Sequence, residues 1–154
     1  QRGRIAYAFN ATDANFDQQL MGKLLTEMQA SERLSYTFRF LSGSVNVDEQ
    51  SSVFVNELAA SMVDGDLGTA SIKLAGFADA RGPFSANLNL SRSRAEAVKN
   101  LVIAASNGAL DDERIVVEGY GELAPVACNE TNEGQTLNRR VEVWAPKTEA
   151  GPQG

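Results

Sequence analysis

Histidine is absent from the 154 residues, and cysteine occurs once, as Cys128. The lack of histidine removes the commonest general base, the commonest zinc ligand and the Ser-His and Cys-His nucleophile pairs. A single cysteine forms neither an internal disulfide nor a thiolate metal site. Cys128 also lies in a polar stretch without a neighbouring base, which argues against a nucleophile. The composition therefore argues against an enzyme and against a metal centre.

Long apolar runs and a surplus of basic residues are also missing. No stretch is long enough to span a bilayer, and no signal peptide is visible. The net charge is −6, whereas a sequence-independent grip on nucleic acid needs a basic face. Apolar and charged fractions of 43% and 22% are those of a globular protein. Because the first residue is Gln1 rather than Met, we expect a fragment or a processed form of a longer protein.

Hydrophobic periodicity predicts strands that alternate with helices. The predicted strands cover residues 4–9, 34–41, 70–77, 114–120 and 139–145, and the predicted helices cover residues 12–30, 47–65 and 87–108. From residue 34 this order is βαβαββ, which indicates an α+β two-layer sandwich, a mixed four-stranded sheet with helices on one face. We expect residues 34–147 to form this domain and residues 148–154 a flexible tail. Residues 1–33 are expected to form an N-terminal strand and helix, either an extension of the sheet or part of a preceding domain.

The helix over residues 87–108 carries a charge where an apolar residue is expected. At about 100° per residue its apolar side chains share one arc, and Arg94 falls inside that arc, between Leu101 and Ala105. A guanidinium stays charged and is rarely buried without a partner. Asp79 lies just beyond a predicted strand, at the edge where α/β folds place ligands. We therefore expect Asp79 and Arg94 to flank one pocket.

Two interpretations of this couple are open. In the first, Asp79 and Arg94 form a plain ion pair that fixes the loop, since buried charges are usually paired. In the second, the pocket binds a zwitterion, with the ligand's ammonium on Asp79 and its carboxylate on Arg94. Arg139 and Arg140 fall on opposite faces of the last strand, so we expect one of them to join the pocket and the other to meet solvent.

Two further motifs have simpler explanations. Gly119 and Gly121 form a Gly-x-Gly motif, but Pro125 and polar residues follow where a nucleotide-binding loop needs a helix. The motif therefore argues against nucleotide binding, and a turn with positive φ is expected. The acids at 111–113 lack the spacing of a calcium loop, which needs six or more oxygens. We predict no cofactor.

Two sets of residues resemble the signatures of the OmpA-like C-terminal domain family. The first set is Gly76, Asp79, Gly82, Asn87, Leu90, Ser91, Arg94, Ala95 and Val98. The second set is Gly119, Tyr120, Gly121, Glu122, Pro125, Asn129, Thr131, Gly134, Asn138, Arg139, Arg140 and Val141. The match extends from about Tyr36 to Trp144 with the spacing intact, so it is far more specific than a single motif.

The resemblance implies a non-catalytic domain in the periplasm of a Gram-negative bacterium, associated with the outer membrane, that anchors its parent protein to peptidoglycan. The implied ligand is the meso-diaminopimelate of the stem peptide, and the family's binding residues match Asp79, Arg94, Asn87 and Arg139 in this sequence. The anion that Arg94 meets is then a ligand carboxylate. The resemblance implies a periplasmic or membrane-associated parent protein. The net charge already argues against a nucleic-acid partner, and a homodimer stays open.

The chain departs from the family pattern at four positions. Phe77 and Ala78 stand where a His-Thr pair is common, which removes an imidazole and a hydroxyl from the loop before the aspartate. Leu41 stands in place of an acid at the end of the first strand. Gln135 stands where an arginine often follows the late glycine.

Two alternative functions stay open. A protein–protein interaction module of the same fold, without peptidoglycan binding, is compatible with these departures. A cell-wall hydrolase that uses Asp79 with Glu118 or Glu122 is less favoured. A glycosidase needs two carboxyls about 5–9.5 Å apart across one bond, and an arginine beside a carboxylate favours its charged form and makes it a poor general acid.

Overall fold

The computed structural model describes residues 11–41, 43–79, 82–123, 134 and 137–147, with the side chains of the first helix described from residue 18. In chain order the elements of this part are α1 (Ala11–Ala30), β1 (Ser31–Arg39), α2 (Glu49–Asp64), β2 (Ile72–Phe77), α3 (Phe84–Ala105), a short 3₁₀ helix (Asp112–Arg114), β3 (Ile115–Gly119) and β4 (Arg140–Pro146). The strand predicted over residues 4–9, Cys128, Gln135 and the tail predicted from residue 148 lie outside the described residues.

The strands form one mixed sheet in the order β1-β4-β2-β3. β4 lies antiparallel to both β1 and β2, and β2 lies parallel to β3. A parallel pair needs a crossover connection, and α3 provides it. The predicted βαβαββ order and mixed four-stranded sheet are confirmed. β1 begins at Ser31, which pairs with Pro146, so residues 31–33 lie in the sheet rather than before it.

One face of the sheet, here called the first face, is apolar and is covered by α2 and α3. Phe38 of β1, Leu74 of β2 and Val143 of β4 are fully buried there, as are Leu58 of α2 and Val98 of α3. Each such side chain contributes about 1.5–3 kcal/mol when it leaves water. This core fixes the two helices on the sheet and with them the residues of the site.

The ends of the helices follow from local chemistry. Asp48 caps α2, because its side chain accepts the backbone N–H of Ser51 at 2.9 Å. α3 begins at Phe84, three residues before the predicted start, with Pro83 as its N-cap residue, and the Phe84 ring is buried. The helix ends before Asn107 and Gly108, which take positive φ values of 54° and 88°.

No helix in the described ranges combines the length and apolar character that a membrane crossing requires.

The opposite face of the sheet, here called the second face, is covered by α1. Leu20 and Leu24 of this helix are buried against Phe77, Tyr120 and Trp144. The three aromatic rings contact one another, with Tyr120 stacked on Phe77 at 5.6 Å and on Trp144 at 5.9 Å between centroids. The helix predicted over residues 12–30 is therefore present and packs on the sheet of the domain.

Ion pairs hold the outer side of α1. Lys23 lies 3.0 Å from Glu118 of β3, and Glu27 lies 3.0 Å from Lys73 of β2. Met28 of the same helix is half exposed, so the apolar side chains of α1 are only partly buried. Packing by two leucines and two ion pairs is thus what places α1 on the second face.

Two glycines bring α3 close to the sheet at one point. Gly76 and Gly119 are paired across β2 and β3, and a Cβ on Gly76 would overlap the backbone carbonyl of Ser91. A Cβ on Gly119 would lie 2.7 Å from the backbone nitrogen of Arg92. The Ser91 hydroxyl donates to the Leu88 carbonyl and accepts the N–H of Gly121. This contact determines how closely α3 approaches the sheet and how the helix is rotated about its axis, and therefore where its polar residues lie.

Candidate ligand-binding site

A cavity of about 230 Å³ opens at the carboxyl end of β2. All four residues predicted to bind the ligand line it: Asp79, Asn87, Arg94 and Arg139. They come from three separate segments, namely the end of β2, the first three turns of α3 and the approach to β4. Gly43, Ala78, Gly82 and Leu90 complete the lining. The structure therefore brings the predicted residues together around one space.

Asp79 is paired with Arg139. Its Oδ2 lies 3.0 Å from Nη1 of Arg139, and the two side chains are 6% and 8% exposed. The first of the two sequence-based interpretations paired Asp79 with Arg94, and the second placed them on either side of a pocket. The structure shows an ion pair between Asp79 and Arg139, the arginine that precedes the last strand. Burial makes this partner important, because a buried carboxylate is costly without a positive charge beside it.

Arg94 is fully buried, and it lines the same cavity. Its Nε donates to the backbone carbonyl of Ser44 at 2.8 Å. Its guanidinium carbon lies 5.3 Å from the centroid of the Phe40 ring, within the range of a cation–π contact. The loop between β1 and α2 therefore holds the guanidinium at the edge of the cavity, which explains an arginine within the apolar arc of α3.

Asn87 lies one turn into α3 and is held from two sides. Its Nδ2 donates to Oε1 of Glu122 at 2.7 Å and lies 3.5 Å from the carbonyl oxygen of Gly82. The turn that carries Glu122 is hydrogen-bonded to the end of β2, since Ala78 donates its N–H to the carbonyl of Gly121 at 2.7 Å. Gly121 has a positive φ of 63°, which confirms the turn expected at this glycine.

Glu122 and Ser44 contact residues of the candidate site, and the sequence analysis did not predict these contacts. Glu122 was named in the family signature and as an acid of a hydrolase, but not as a neighbour of Asn87, and Ser44 was not considered. A signal for Glu122 was present, because it follows a strand that runs parallel to β2, and the carboxyl ends of parallel strands lie at one edge of the sheet. No sequence signal marked Ser44, since it contributes a backbone carbonyl.

Arg140, expected to meet solvent if Arg139 joined the pocket, is buried instead. Its Nε donates to Oε2 of Glu142 at 2.7 Å, and its guanidinium lies over the Phe77 ring, 4.0 Å from the centroid. Glu142 also accepts from Nε1 of Trp144 at 2.9 Å. Burial lowers the pKa of Arg140 from its ordinary value, while Glu142 acts in the opposite direction. The alternation of the strand is confirmed, but α1 covers the face that was expected to be open.

The departures from the family pattern affect the cavity unequally. Phe77 points to the second face and packs on Tyr120, so the missing imidazole does not alter the lining. Ala78 does line the cavity, and its methyl group stands where a hydroxyl is common. Leu41 is exposed and is not part of the lining. Within the described part of the chain, no group of three His, Cys, Asp or Glu residues is placed to hold a metal ion.

Comparison with known proteins matches this arrangement to one family. The sequence model of the OmpA family matches residues 39–139, which is more than half of the chain. Outer membrane porin F of Pseudomonas fluorescens is 41% identical over 71 residues, 46% of this chain and 21% of that protein. Motility protein B of Bacillus subtilis is 33% identical over 135 residues, 82% of this chain and 50% of that protein. The probable lipoprotein YiaD of Escherichia coli is 25% identical over 146 residues, 92% of this chain and 64% of that protein.

Solved structures share the fold. The peptidoglycan-associated lipoprotein from Burkholderia pseudomallei has a TM-score of 0.63 at 25% identity, covering 72% of this chain and 90% of that one. The cell wall anchor of the T6SS from Pseudomonas aeruginosa has a TM-score of 0.58 at 24% identity, covering 84% of this chain and 96% of that one. These likenesses confirm the α+β fold with its mixed sheet.

The chain spans between about a fifth and two thirds of the length of the curated relatives described above. The relatives include outer membrane proteins and a peptidoglycan-associated lipoprotein, which confirms the expected location in the periplasm and cell envelope. With the family model matched from β1 to the arginine before β4, the chain belongs to the OmpA family.

Proposed function

We propose that this domain binds peptidoglycan non-covalently, through the meso-diaminopimelate of the stem peptide, and so anchors a cell-envelope protein to the cell wall. One solved relative is a peptidoglycan-associated lipoprotein and another is a cell wall anchor, which supports the ligand class. The observation that carries the proposal is the convergence of Asp79, Asn87, Arg94 and Arg139 on one cavity.

The charges of the cavity match the end of a diaminopimelate side chain. That end carries an ammonium and a carboxylate on one carbon, whereas lysine carries the ammonium alone. Asp79 offers an anion for the ammonium, and a carboxylate accepts several hydrogen bonds, so its pairing with Arg139 is compatible with a second donor. Arg94 offers planar N–H groups that suit a carboxylate. The pocket thus selects for both charges together.

The size of the cavity supports the same ligand class. Pockets for drug-sized molecules have volumes of about 300–1,000 Å³. A cavity of about 230 Å³ is smaller and suits the end of one amino-acid side chain rather than a whole peptide or a sugar chain. We infer that the remainder of the peptidoglycan lies outside the cavity.

We propose binding rather than hydrolysis because each of the candidate acids is already held by another side chain. Asp79 is held by Arg139, and Glu122 is held by Asn87. Glu118 is paired with Lys23 of α1 and lines a different cavity, between α1 and α3. An arginine beside Asp79 favours the charged form of its carboxyl, which makes it a poor general acid for the cleavage of a glycosidic bond.

Sedimentation with purified sacculi tests the proposal. Sacculi with diaminopimelate and sacculi with lysine are compared at fixed salt, with Arg94→Ala as the binding variant. Arg92→Ala is the matched control, because Arg92 lies on the same helix and is exposed. We expect the wild type and Arg92→Ala to sediment with diaminopimelate sacculi and Arg94→Ala to stay in the supernatant. Lysine sacculi are expected to bind about thirty- to a hundredfold more weakly, a difference of about 2–3 kcal/mol.

Each contrary result points to one alternative. Release of soluble fragments from sacculi indicates a hydrolase. Absence of sedimentation with either kind of sacculus indicates a protein–protein interaction module of the same fold. Equal binding to both kinds removes the zwitterion argument, since Arg94 then has no ligand carboxylate to recognise.

A further inference from the structure

The short hydrogen bond between Asn87 and Glu122 determines which atom of the Asn87 amide faces the cavity. Glu122 contacts Nδ2 at 2.7 Å, and the Gly82 carbonyl lies 3.5 Å from the same nitrogen. An ionised carboxylate and a carbonyl only accept hydrogen bonds, so the atom between them has to be the donor nitrogen. The orientation of the amide is thus fixed by two acceptors.

The amide oxygen is consequently available to a ligand. A Cβ on Gly82 would lie 3.8 Å from Oδ1 of Asn87, and both residues line the cavity. In the described part of the chain, no hydrogen bond reaches this oxygen. Asn87 is nevertheless only 6% exposed, so water has limited access to it. An acceptor in this position is suited to an ammonium.

We propose that Glu122 is a positioning residue that turns the oxygen of Asn87 toward the amine of the ligand. The inference rests on the proposed binding of diaminopimelate and adds a second acceptor for its amine, beside Asp79. Without Glu122 only the distant Gly82 carbonyl, at 3.5 Å, still holds the Nδ2 of Asn87. The amide can then rotate by 180° and present its NH₂, which cannot accept a hydrogen bond. The site would then keep its shape and lose one acceptor for the ammonium.

Calorimetric titration with the tripeptide L-Ala-γ-D-Glu-meso-diaminopimelate tests this role, with the same tripeptide acetylated on the distal amine as the second probe. We expect Glu122→Ala to bind the free-amine tripeptide about tenfold more weakly, the value of one hydrogen bond to a charged group. Binding of the acetylated tripeptide is expected to change less than threefold. Glu122→Gln keeps an acceptor without the charge, so it is expected to stay within about threefold of the wild type for both probes.

Two controls separate positioning from other effects. Glu118→Ala removes an equal charge from strand β3, just before the turn that carries Glu122, and Glu118 is paired with Lys23 rather than with Asn87. This variant is expected to bind as the wild type does. In an Asn87→Ala background, Glu122→Ala is expected to have no further effect, because the residue it positions is gone. If Glu122→Ala does not fold, Glu122→Ser replaces it, since serine is too short to reach Asn87.

The outcomes distinguish this inference from the proposed function. A wild type that binds neither tripeptide overturns both. A wild type that binds, with Glu122→Ala equal to it, overturns only the role of Glu122. Equal losses in Glu122→Ala and Glu122→Gln, or an unchanged loss in the Asn87→Ala background, show an effect of charge and also overturn the positioning role.

Discussion

Two adjacent arginines form two acid–arginine pairs on opposite sides of this molecule. Arg139 contacts Asp79 at 3.0 Å and lines the cavity. Arg140 contacts Glu142 at 2.7 Å and lies on the Phe77 ring at the second face. The chemistry of the two pairs is the same, and both are buried. They differ in what lies next to them, a cavity in one case and packed aromatic rings in the other.

The difference indicates separate roles. In the pair at the second face, the oxygens of Glu142 are used within the protein, since Trp144 donates to one and Arg140 to the other. Arg33 of β1 also lies 3.5 Å from Glu142. A pair enclosed in this way serves the fold. The pair at the cavity borders open space and two further polar side chains, and we propose that it serves the ligand.

The largest effect on stability is expected from breaking the pair at the second face. Glu142→Ala leaves Arg140 without this ion-pair partner and Trp144 without its acceptor, and breaking a buried pair costs about 3–5 kcal/mol. Urea unfolding monitored by tryptophan fluorescence measures the loss. Glu32→Ala is the control, since Glu32 lies exposed in the neighbouring strand β1.

Binding to sacculi sharpens this first prediction. The folded fraction of Glu142→Ala is expected to sediment as well as the wild type does. A loss of sacculus binding at full folding would contradict the assignment of this pair to the fold alone.

The next effect concerns α1, which closes the second face. Leu24 is 1% exposed, and Leu24→Ala is expected to cost about 2–3 kcal/mol, the low part of the range for buried leucines because a surface helix relaxes around the gap. Leu25→Ala is the matched control on the same helix, since Leu25 is 52% exposed. Chemical denaturation of both variants gives the comparison. Equal stabilities would show that α1 does not contribute to the stability of the domain.

A smaller effect is expected from the pair at the cavity. Asp79→Asn keeps the shape of the side chain but cannot pair with an ammonium, so binding to diaminopimelate sacculi is expected to weaken by about 1.5–3 kcal/mol. The free energy of unfolding is also expected to fall, because Arg139 loses the charge of its partner. Asp111→Asn, in an exposed turn, is the control. A variant that is less stable yet binds normally would assign Asp79 to architecture, as in the pair at the second face.

The sequence predicted the site better than it predicted the contacts within the site. Asp79 and Arg94 were identified because a strand end and a misplaced charge on a helix are local signals. The ion pair between Asp79 and Arg139 was not predicted. Strand alternation alone does not distinguish Arg139 from Arg140, and the family resemblance assigned Arg139 to the ligand without placing it against Asp79. The carbonyl of Ser44, which holds Arg94, carries no signal in a side chain at all.

The position of α1 on the second face also could not be predicted from local sequence patterns. Helix α1 was predicted from its periodicity, but its place on the sheet depends on Leu20, Leu24 and the aromatic rings beneath them. No local pattern told whether residues 1–33 extend the domain or precede it. The predicted exposure of Arg140 was wrong for this reason, because it assumed that the second face of the sheet is open to solvent.

The smallest effect is expected where α1 meets the sheet through charge alone. The Lys23 side chain is 51% exposed, and it lies 3.0 Å from Glu118. An ion pair at this exposure is screened by water and contributes about 0.2–1 kcal/mol. Lys23→Ala is therefore expected to lower the free energy of unfolding by less than 1 kcal/mol, and a double-mutant cycle with Glu118→Ala measures the coupling directly. The coupling is also expected to shrink at high salt, whereas the cost of Glu142→Ala is expected to persist because that pair is buried. A coupling of several kcal/mol between Lys23 and Glu118 would mean that this ion pair is a main contribution to the packing of α1 on the sheet. The proposed difference between the exposed Lys23–Glu118 pair and the buried Arg140–Glu142 pair would then be wrong.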